Sequence, residues 1–247
     1  MRARRLAVWG LVVLVGAPLL LFAGYFPMTR WLLSGPKLRA IINAHPASFR
    51  IDWDQAVSPW PGRIRLKNLR LRGSDPNVQW SIDLAQADLD YSILALIRRT
   101  FLCTRLDGSG LAFALRTKIE PDRVKTTDVR SLPPIPGFSD PPLRDPDAES
   151  RLEPNPFHVD VRGVSIDRVE SLWVNQVRYL GPGRVRGGFY LWPTRLARID
   201  DALLQWDGGA VSVGKAPDRI SLSGQFAVSS RAFEPVNAPM PQALREF

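Results

Sequence analysis

The sequence predicts a mainly β protein, in which a single N-terminal transmembrane helix precedes an antiparallel, curled β-sheet with one or two short helices. The expected shape of the sheet is a groove or taco-like trough. An uncharged run covers residues 6–26, and beyond residue 49 apolar and polar residues alternate between turn signals. A helix of about 21 residues spans roughly 30 Å, the thickness of a bilayer core. Alternation with a period of two is typical of strands with one buried face.

The uncharged run is expected to be an uncleaved membrane anchor. Arg2, Arg4 and Arg5 precede it, and basic residues beside a first span tend to stay in the cytoplasm, so the bulk of the chain is expected across the membrane. A cleaved signal peptide and a buried soluble helix are the alternatives, but signal h-regions usually hold about 7–15 residues. The anchor residues are expected to be Leu6, Trp9, Leu14, Leu20, Phe26 and Trp31.

Composition divides the chain into five segments. Residues 1–29 hold the arginines and the anchor, and 30–118 form a first β unit with a short amphipathic helix. Residues 119–156 contain nine prolines and eight acidic residues, which predicts a linker or an ordered extended loop because proline lacks a ladder donor. Residues 157–230 form a second β unit, and 231–247 an irregular tail.

Local signals place the helices and turns of the first unit. Ser34-Gly-Pro36 predicts the start of a short helix, and Ser92 is expected to cap a second one. Clusters of Gly, Pro, Asp and Asn predict turns at 58–62, 73–77 and 107–110. Each interval between these turns is long enough for a strand.

Two stretches share a change of phase. Apolar residues two positions apart are followed by a spacing of three, at 67–68 and again at 162–163, and one extra residue in a strand predicts a β-bulge. The similarity of the two stretches indicates internal duplication. With the bulges, the inner faces should hold Ile64, Leu66, Leu69, Leu71, Phe157, Val159, Val161, Val164 and Ile166.

The net charge of +9 does not indicate a nucleic-acid partner, because the basic residues mostly alternate with apolar ones, as on a solvated strand face. Attraction to anionic lipid head groups fits this charge better. His45 and His158 lack neighbours at metal-ligand spacing, and Cys103 lies among apolar residues. Asp200 and Asp201 should point to opposite faces of a strand. We expect no enzyme activity, no metal and no cofactor.

Three motifs carry a family resemblance: Trp53 to Ala56, Gly62 to Leu71, and Ser92 to Leu96. With the anchor before them, they resemble the opening of AsmA-like proteins of the bacterial envelope, and GRVRGGFYLWP and LLQWDGGAVSVG in the second half resemble later repeats. The resemblance implies a repeating β-groove that binds or passes phospholipid acyl chains in envelope lipid homeostasis and outer-membrane biogenesis. It also implies an inner-membrane protein whose bulk is periplasmic, either a small member of the family or an N-terminal fragment.

The expected ligand is phospholipid, and the expected partners are membrane lipid and either envelope proteins or further β-groove strands. The alternative is a non-catalytic structural subunit of an envelope machine, such as a type II secretion N-type protein. An envelope enzyme is a third possibility without supporting residues. The tryptophans of the β region suit either a core or a groove lining. The groove candidates are Ile64, Leu66, Leu69, Leu71, Trp80, Ile82, Leu111, Phe113, Leu115, Val161, Val164, Phe189 and Leu222.

Overall fold

The computed structural model describes residues 23–44, 49–124, 129–144, 158–192, 196–214 and 220–230. The helices in these ranges are α1 (23–34), α2 (Pro36–Ile42) and α3 (Ile93–Ile97), and two 3₁₀ turns cover Pro121–Arg123 and Val129–Ser131. The first five strands are β1 (Phe49–Asp52), β2 (Gln55–Trp60), β3 (Arg63–Ser74), β4 (Val78–Tyr91) and β5 (Thr100–Thr117). The others are β6 (His158–Ile166), β7 (Val169–Val174), β8 (Val177–Leu180), β9 (Gly183–Trp192), β10 (Leu196–Val213) and β11 (Ile220–Ser230).

All of these strands belong to one sheet. Strands β3, β4 and β5 form an antiparallel meander, and β1 and β2 both pair with the outer edge of β3. The inner edge of β5 pairs with β6 along its first half and with β7 along its second. The two predicted β units therefore meet along β5 within a single sheet.

The predicted fold class is wrong, because the sheet is not the antiparallel trough expected from the sequence. Strand β5 runs parallel to both β6 and β7, and the pairings from β5 through β6, β9, β10, β8 and β7 return to β5. By hydrogen-bond connectivity, these six strands form a closed ring. The parallel pairing arises because the chain crosses back after β5, so that His158 lies opposite Thr100 at the start of that strand.

None of the helices within the described ranges is both long enough and apolar enough to cross a membrane. The expected anchor residues Leu6, Trp9, Leu14 and Leu20 lie outside the described residues. Phe26 and Trp31 belong to α1, where their side chains are exposed.

In two places of the six-stranded ring, two short strands lie end to end along one long partner strand. Strand β7 continues the direction of β6 along β5, and β8 and β9 follow each other along β10. The backbone packs closely where these pieces join, since a Cβ on Gly181 would lie 2.5 Å from the Cα of Gly209. The hydroxyl of Tyr179 donates a hydrogen bond of 2.6 Å to the carbonyl of Pro182. Side chains and backbone therefore occupy the junction.

A line of irregular residues crosses the sheet at one level, and we call it the kink line: Asn68, Ala85, Gly110, Arg168 and Gly208. Asn68, Gly110 and Gly208 have left-handed backbones, with φ of 51°, 71° and 83°. Gly110 lies against Ala85, and its amide donates to the carbonyl of Arg168. Because each strand holds one additional residue at this level, apolar side chains keep the same face on both sides of the line.

The inward facing predicted around 67–68 is confirmed, since Leu66 and Leu69 are both buried in one hydrophobic cluster. This irregularity is not a one-sided bulge. The pair Lys67–Gln86 before it and the pair Leu69–Leu84 after it have the same register between β3 and β4. Ala85 in β4 lies opposite Asn68, so each of these two strands contains one extra residue at this point.

The second predicted bulge is confirmed. The register of β6 against β9 shifts between Val161 and Val164, and Gly163 has a φ of 60°. Gly163 lies against the carbonyl of Thr104, away from the kink line. The two irregularities thus occupy different levels of the sheet. Phe157 lies outside the described residues.

The described part of the proline-rich segment is an ordered loop packed on the charged side of the sheet. Ile119, Leu132 and Ile135 are buried there. Arg116 of β5 is 1% exposed and donates hydrogen bonds of 2.9 Å to Gln79 and Asp140. Burial lowers the pKa of this guanidinium, and the charge of Asp140 opposes that effect.

Candidate functional site

Strand pairing brings apolar side chains into rows that cross the sheet, because residues directly opposite on paired strands share a face. The longest row crosses eight strands. With strands about 4.8 Å apart, it covers roughly 30 Å or more. Its members are Ile51, Leu71, Ile82, Phe113, Leu172, Tyr179, Val211 and Ile220.

A second row lies on the other side of the kink line. It consists of Ala56, Leu66, Ala87, Gly108, Ile166, Val185 and Leu204. Both rows belong to one surface, which we call the apolar face. It extends from the β1–β2 edge of the sheet to its β10–β11 edge.

The middle of the apolar face is packed by its own side chains. Four of the predicted groove residues are buried: Leu66, Leu69, Leu111 and Val161. Seven are half-buried: Ile64, Leu71, Trp80, Ile82, Phe113, Leu115 and Val164. Phe189 is 38% exposed. The backbone of Leu222 in β11 pairs with Gly209 in β10. The side chain of Leu222 lies outside the described atoms.

The outer parts of the face are more open. Val174, Val177 and Val213 lie opposite one another at one end of β7, β8 and β10, and Val213 is 50% exposed. The predicted groove residues do not include these valines. These valines alternate with polar residues in the sequence. The sequence does not show, however, which other strands their short strands pair with in the sheet.

The two N-terminal helices reach the face at its β1 edge. The indole nitrogen of Trp53 donates a 3.2 Å hydrogen bond to the carbonyl of Leu33 in α1. The guanidinium of Arg39 in α2 stacks on the Trp53 ring and lies 3.2 Å from Asp52. Trp53, at 3% exposed, is therefore a core residue, which resolves the choice between core and lining for this tryptophan.

The opposite side of the meander carries alternating arginines and aspartates. Arg72 binds Asp83 through two parallel hydrogen bonds of 2.6 and 3.0 Å, and Arg65 binds Asp88 at 2.7 Å. A hydrogen bond from Arg63 lowers the pKa of Asp90 below its ordinary value. Pairing these charges across strands keeps them on one side of the sheet, away from the apolar face.

The remaining candidates for chemistry are separated. The thiol of Cys103 is fully buried, and burial raises its pKa to about 11, so it stays protonated at neutral pH. His158 packs against Trp192 with ring centres 4.6 Å apart. Within the described ranges, no group of three or more His, Cys, Asp or Glu residues could hold a metal ion.

Asp200 and Asp201 lie where the register of β10 against β9 shifts. Both residues line one open cleft, together with Arg162 and Arg186. Asp201 has a φ of 45°, so the regular alternation of a strand does not apply to it. The carboxylate of Asp200 forms an ion pair with Arg198 at a distance of 2.7 Å.

A comparison with models of known protein families found none that matches this chain. A comparison with curated proteins also found no match.

Proposed function

We propose that this protein is a non-catalytic lipid-binding module that takes up phospholipid acyl chains on its apolar face. It would act at the periplasmic side of a bacterial inner membrane, binding or passing lipid in envelope lipid homeostasis. The resemblance of its opening motifs to AsmA-like proteins supports the same proposal.

The observation that carries the proposal is the continuity of the apolar face. Eight strands contribute to one row, from Ile51 to Ile220, while arginine–aspartate pairs hold the charges of the meander on the other side. Contiguous exposed apolar patches on proteins usually mark binding surfaces. Phe189, Val174, Val177 and Val213 supply the exposed part of this one.

A structural subunit of an envelope machine is the second candidate, and the packing of the middle of the face favours it. Leu69 and Leu84 are 4% and 3% exposed, as in an ordinary filled core. In that case the apolar face stabilises the domain, and binding partners would contact other surfaces. No acyl chain would then enter between its side chains.

Site-specific photo-crosslinking of the full chain in membranes distinguishes the two candidates. A photo-reactive residue at 189 or 213 should crosslink to phospholipid if acyl chains lie on the face. The same residue at position 67, exposed on the charged side, is the matched control and should give little lipid adduct. Native mass spectrometry of the detergent-extracted protein should show co-purified phospholipid.

Two substitutions separate binding from folding. Phe189→Asp should reduce bound lipid while circular dichroism stays unchanged, because its side chain is 38% exposed. Leu84→Asp should unfold the domain under either candidate, since an unpaired charge would enter a packed core. Equal crosslinking at 67, 189 and 213, or none at the last two in folded protein, would reject acyl-chain binding on this face.

A further inference from the structure

The connection between β4 and β5 presents apolar side chains to solvent at one end of the sheet. Helix α3 is capped by Ser92, whose hydroxyl accepts a 3.2 Å hydrogen bond from the amide of Ala95. Ile93, Leu94 and Ile97 in this helix are 42%, 75% and 77% exposed. Such a cluster on a short connecting helix contributes little to the core, so its apolar character calls for another explanation.

The connection is held firmly although its side chains are exposed. The amide of Ser92 donates to the carbonyl of Leu102 at 2.9 Å, and the amide of Arg98 donates to Ala95 at 2.9 Å. The first bond fixes the start of α3 against β5, and the second closes the last turn of the helix. The exposed side chains are therefore presented on a rigid support.

The β2–β3 turn lies beside this helix. The amide of Tyr91, the residue before Ser92, donates a 2.7 Å hydrogen bond to the carbonyl of Gly62. Trp60, which precedes the turn, is 58% exposed. Trp side chains are enriched at the boundary between lipid and water, where an apolar ring with a polar edge is favoured.

The described part of α1 starts at the same end of the sheet. The hydroxyl of Tyr25, near the start of the described part of α1, donates a 3.1 Å hydrogen bond to the carbonyl of Trp60 and also contacts the hydroxyl of Ser58. Residues 6–22, which precede this point, carry no charge. The described part of α1 therefore contacts the β2–β3 turn, which lies beside α3, and the uncharged residues precede it in the sequence.

Charge at this end suits a lipid surface. Arg98 and Arg99 directly follow α3 and are exposed. Apolar side chains flanked by basic residues are typical of segments that lie in the interface of a bilayer containing anionic lipid. A docking site for a protein would need no such match to the uncharged N-terminal run.

We propose that α3 and the β2–β3 turn form a membrane-contacting tip. Ile93, Leu94 and Ile97 enter the interfacial layer of the bilayer, Trp60 lies at its boundary, and Arg98 and Arg99 contact anionic head groups. The tip orients the strands so that their β4–β5 ends face the membrane. This inference is independent of acyl-chain binding, and it can hold whether or not the apolar face carries lipid.

Spin labelling of the full chain tests the tip in vesicles of phosphatidylethanolamine and phosphatidylglycerol. A label on Leu94→Cys should collide more often with oxygen, which concentrates in lipid, than with a water-soluble nickel chelate. The matched control is Gln176→Cys, an exposed polar position in the turn between β7 and β8 at the opposite ends of the strands, where the ratio should reverse. Unsubstituted protein should take up no label, because Cys103 is fully buried.

Charge reversal supplies the second measurement. With Arg98→Glu and Arg99→Glu, the oxygen preference at position 94 should be lost from vesicles containing phosphatidylglycerol. Circular dichroism should not change, because both side chains are exposed. A label at 94 that meets the nickel chelate as freely as the label at 176 would overturn the proposal. So would a label shielded from both reagents, which would indicate a protein contact.

Discussion

Deletion of Asn68 tests whether the kink line keeps the apolar face continuous. Without this residue, the part of β3 after position 68 moves by one position relative to the part before it. A shift of one residue turns every following side chain to the other face. Leu69 and Leu71 would leave the apolar face, and Arg70 and Arg72 would enter it.

The expected loss follows from the burial of these side chains. Leu69 is 4% exposed, and Leu71 packs against the same cluster. Removing two leucines from a core loses about 1.5–3 kcal/mol each, or roughly 3–6 kcal/mol together. Turning guanidinium groups toward apolar neighbours adds several kcal/mol. The sum is comparable to the whole stability of a typical domain, about 5–15 kcal/mol, so we expect the deletion variant not to fold.

Urea denaturation followed by circular dichroism measures the effect, and Asn68→Gly is the matched control. Glycine adopts a φ of 51° without strain, so this variant should stay close to the unsubstituted protein although it lacks the side-chain hydrogen bond to Asp54. Asn68→Val should lose about 1–2 kcal/mol, because a branched side chain disfavours the left-handed region. A deletion variant as stable as Asn68→Gly would refute the role of the kink line.

Two further predictions concern titratable groups. Cys103 should resist thiol reagents at mildly alkaline pH and react only after unfolding, because it is fully buried and its pKa is about 11; rapid labelling of folded protein would contradict this. The pKa of Asp90 is lowered from 3.8 by Arg63, so its ionised form stabilises the fold above that value, and the contribution is lost as the pH falls through the lower pKa of the folded state. Asp90→Asn should therefore be less stable than the unsubstituted protein near neutral pH, and the difference should disappear in acid, as measured by thermal unfolding at several pH values.

The sequence was a good guide to which side chains share a face. Alternation identified the inward residues of β3, β4 and β5, and the change of spacing located the irregularities near Asn68 and Gly163. It was a good guide because burial on one face imposes a period of two, and an added residue leaves a visible change of phase. The Ser92 cap was equally predictable from the sequence, since the amide that donates to it, that of Ala95, lies only three residues away.

Glycine-rich turn signals were less informative. Residues 107–110 were expected to form a turn, yet β5 runs through them as a single strand. Glycine with positive φ suits a turn and a kink equally well, and only pairing with neighbouring strands decides between them. For Gly110 and Gly208 those neighbours come from distant parts of the sequence.

The parallel contact of β5 with β6 was not predictable from local patterns. An antiparallel strand that continues a meander and a parallel strand that returns to the start of its neighbour show the same alternation of apolar and polar residues. The length of the proline-rich segment permitted either path. The bonds from Arg116 to Gln79 and Asp140, which hold that segment against the sheet, join residues that no spacing rule connects.

The parallel contact also sets the order in which the chain can fold during synthesis. Thr100 pairs with His158, 158 − 100 = 58 positions later, whereas β3 and β4 are joined by a connection of only a few residues. Nearby strands can pair as soon as they leave the ribosome, but distant pairs must first close a long loop. Until then, the inner edge of β5 offers its backbone amides and carbonyls to any other strand, and such an edge favours aggregation. The interval between synthesis of β5 and of β6 is thus the stage at which the nascent chain most needs protection.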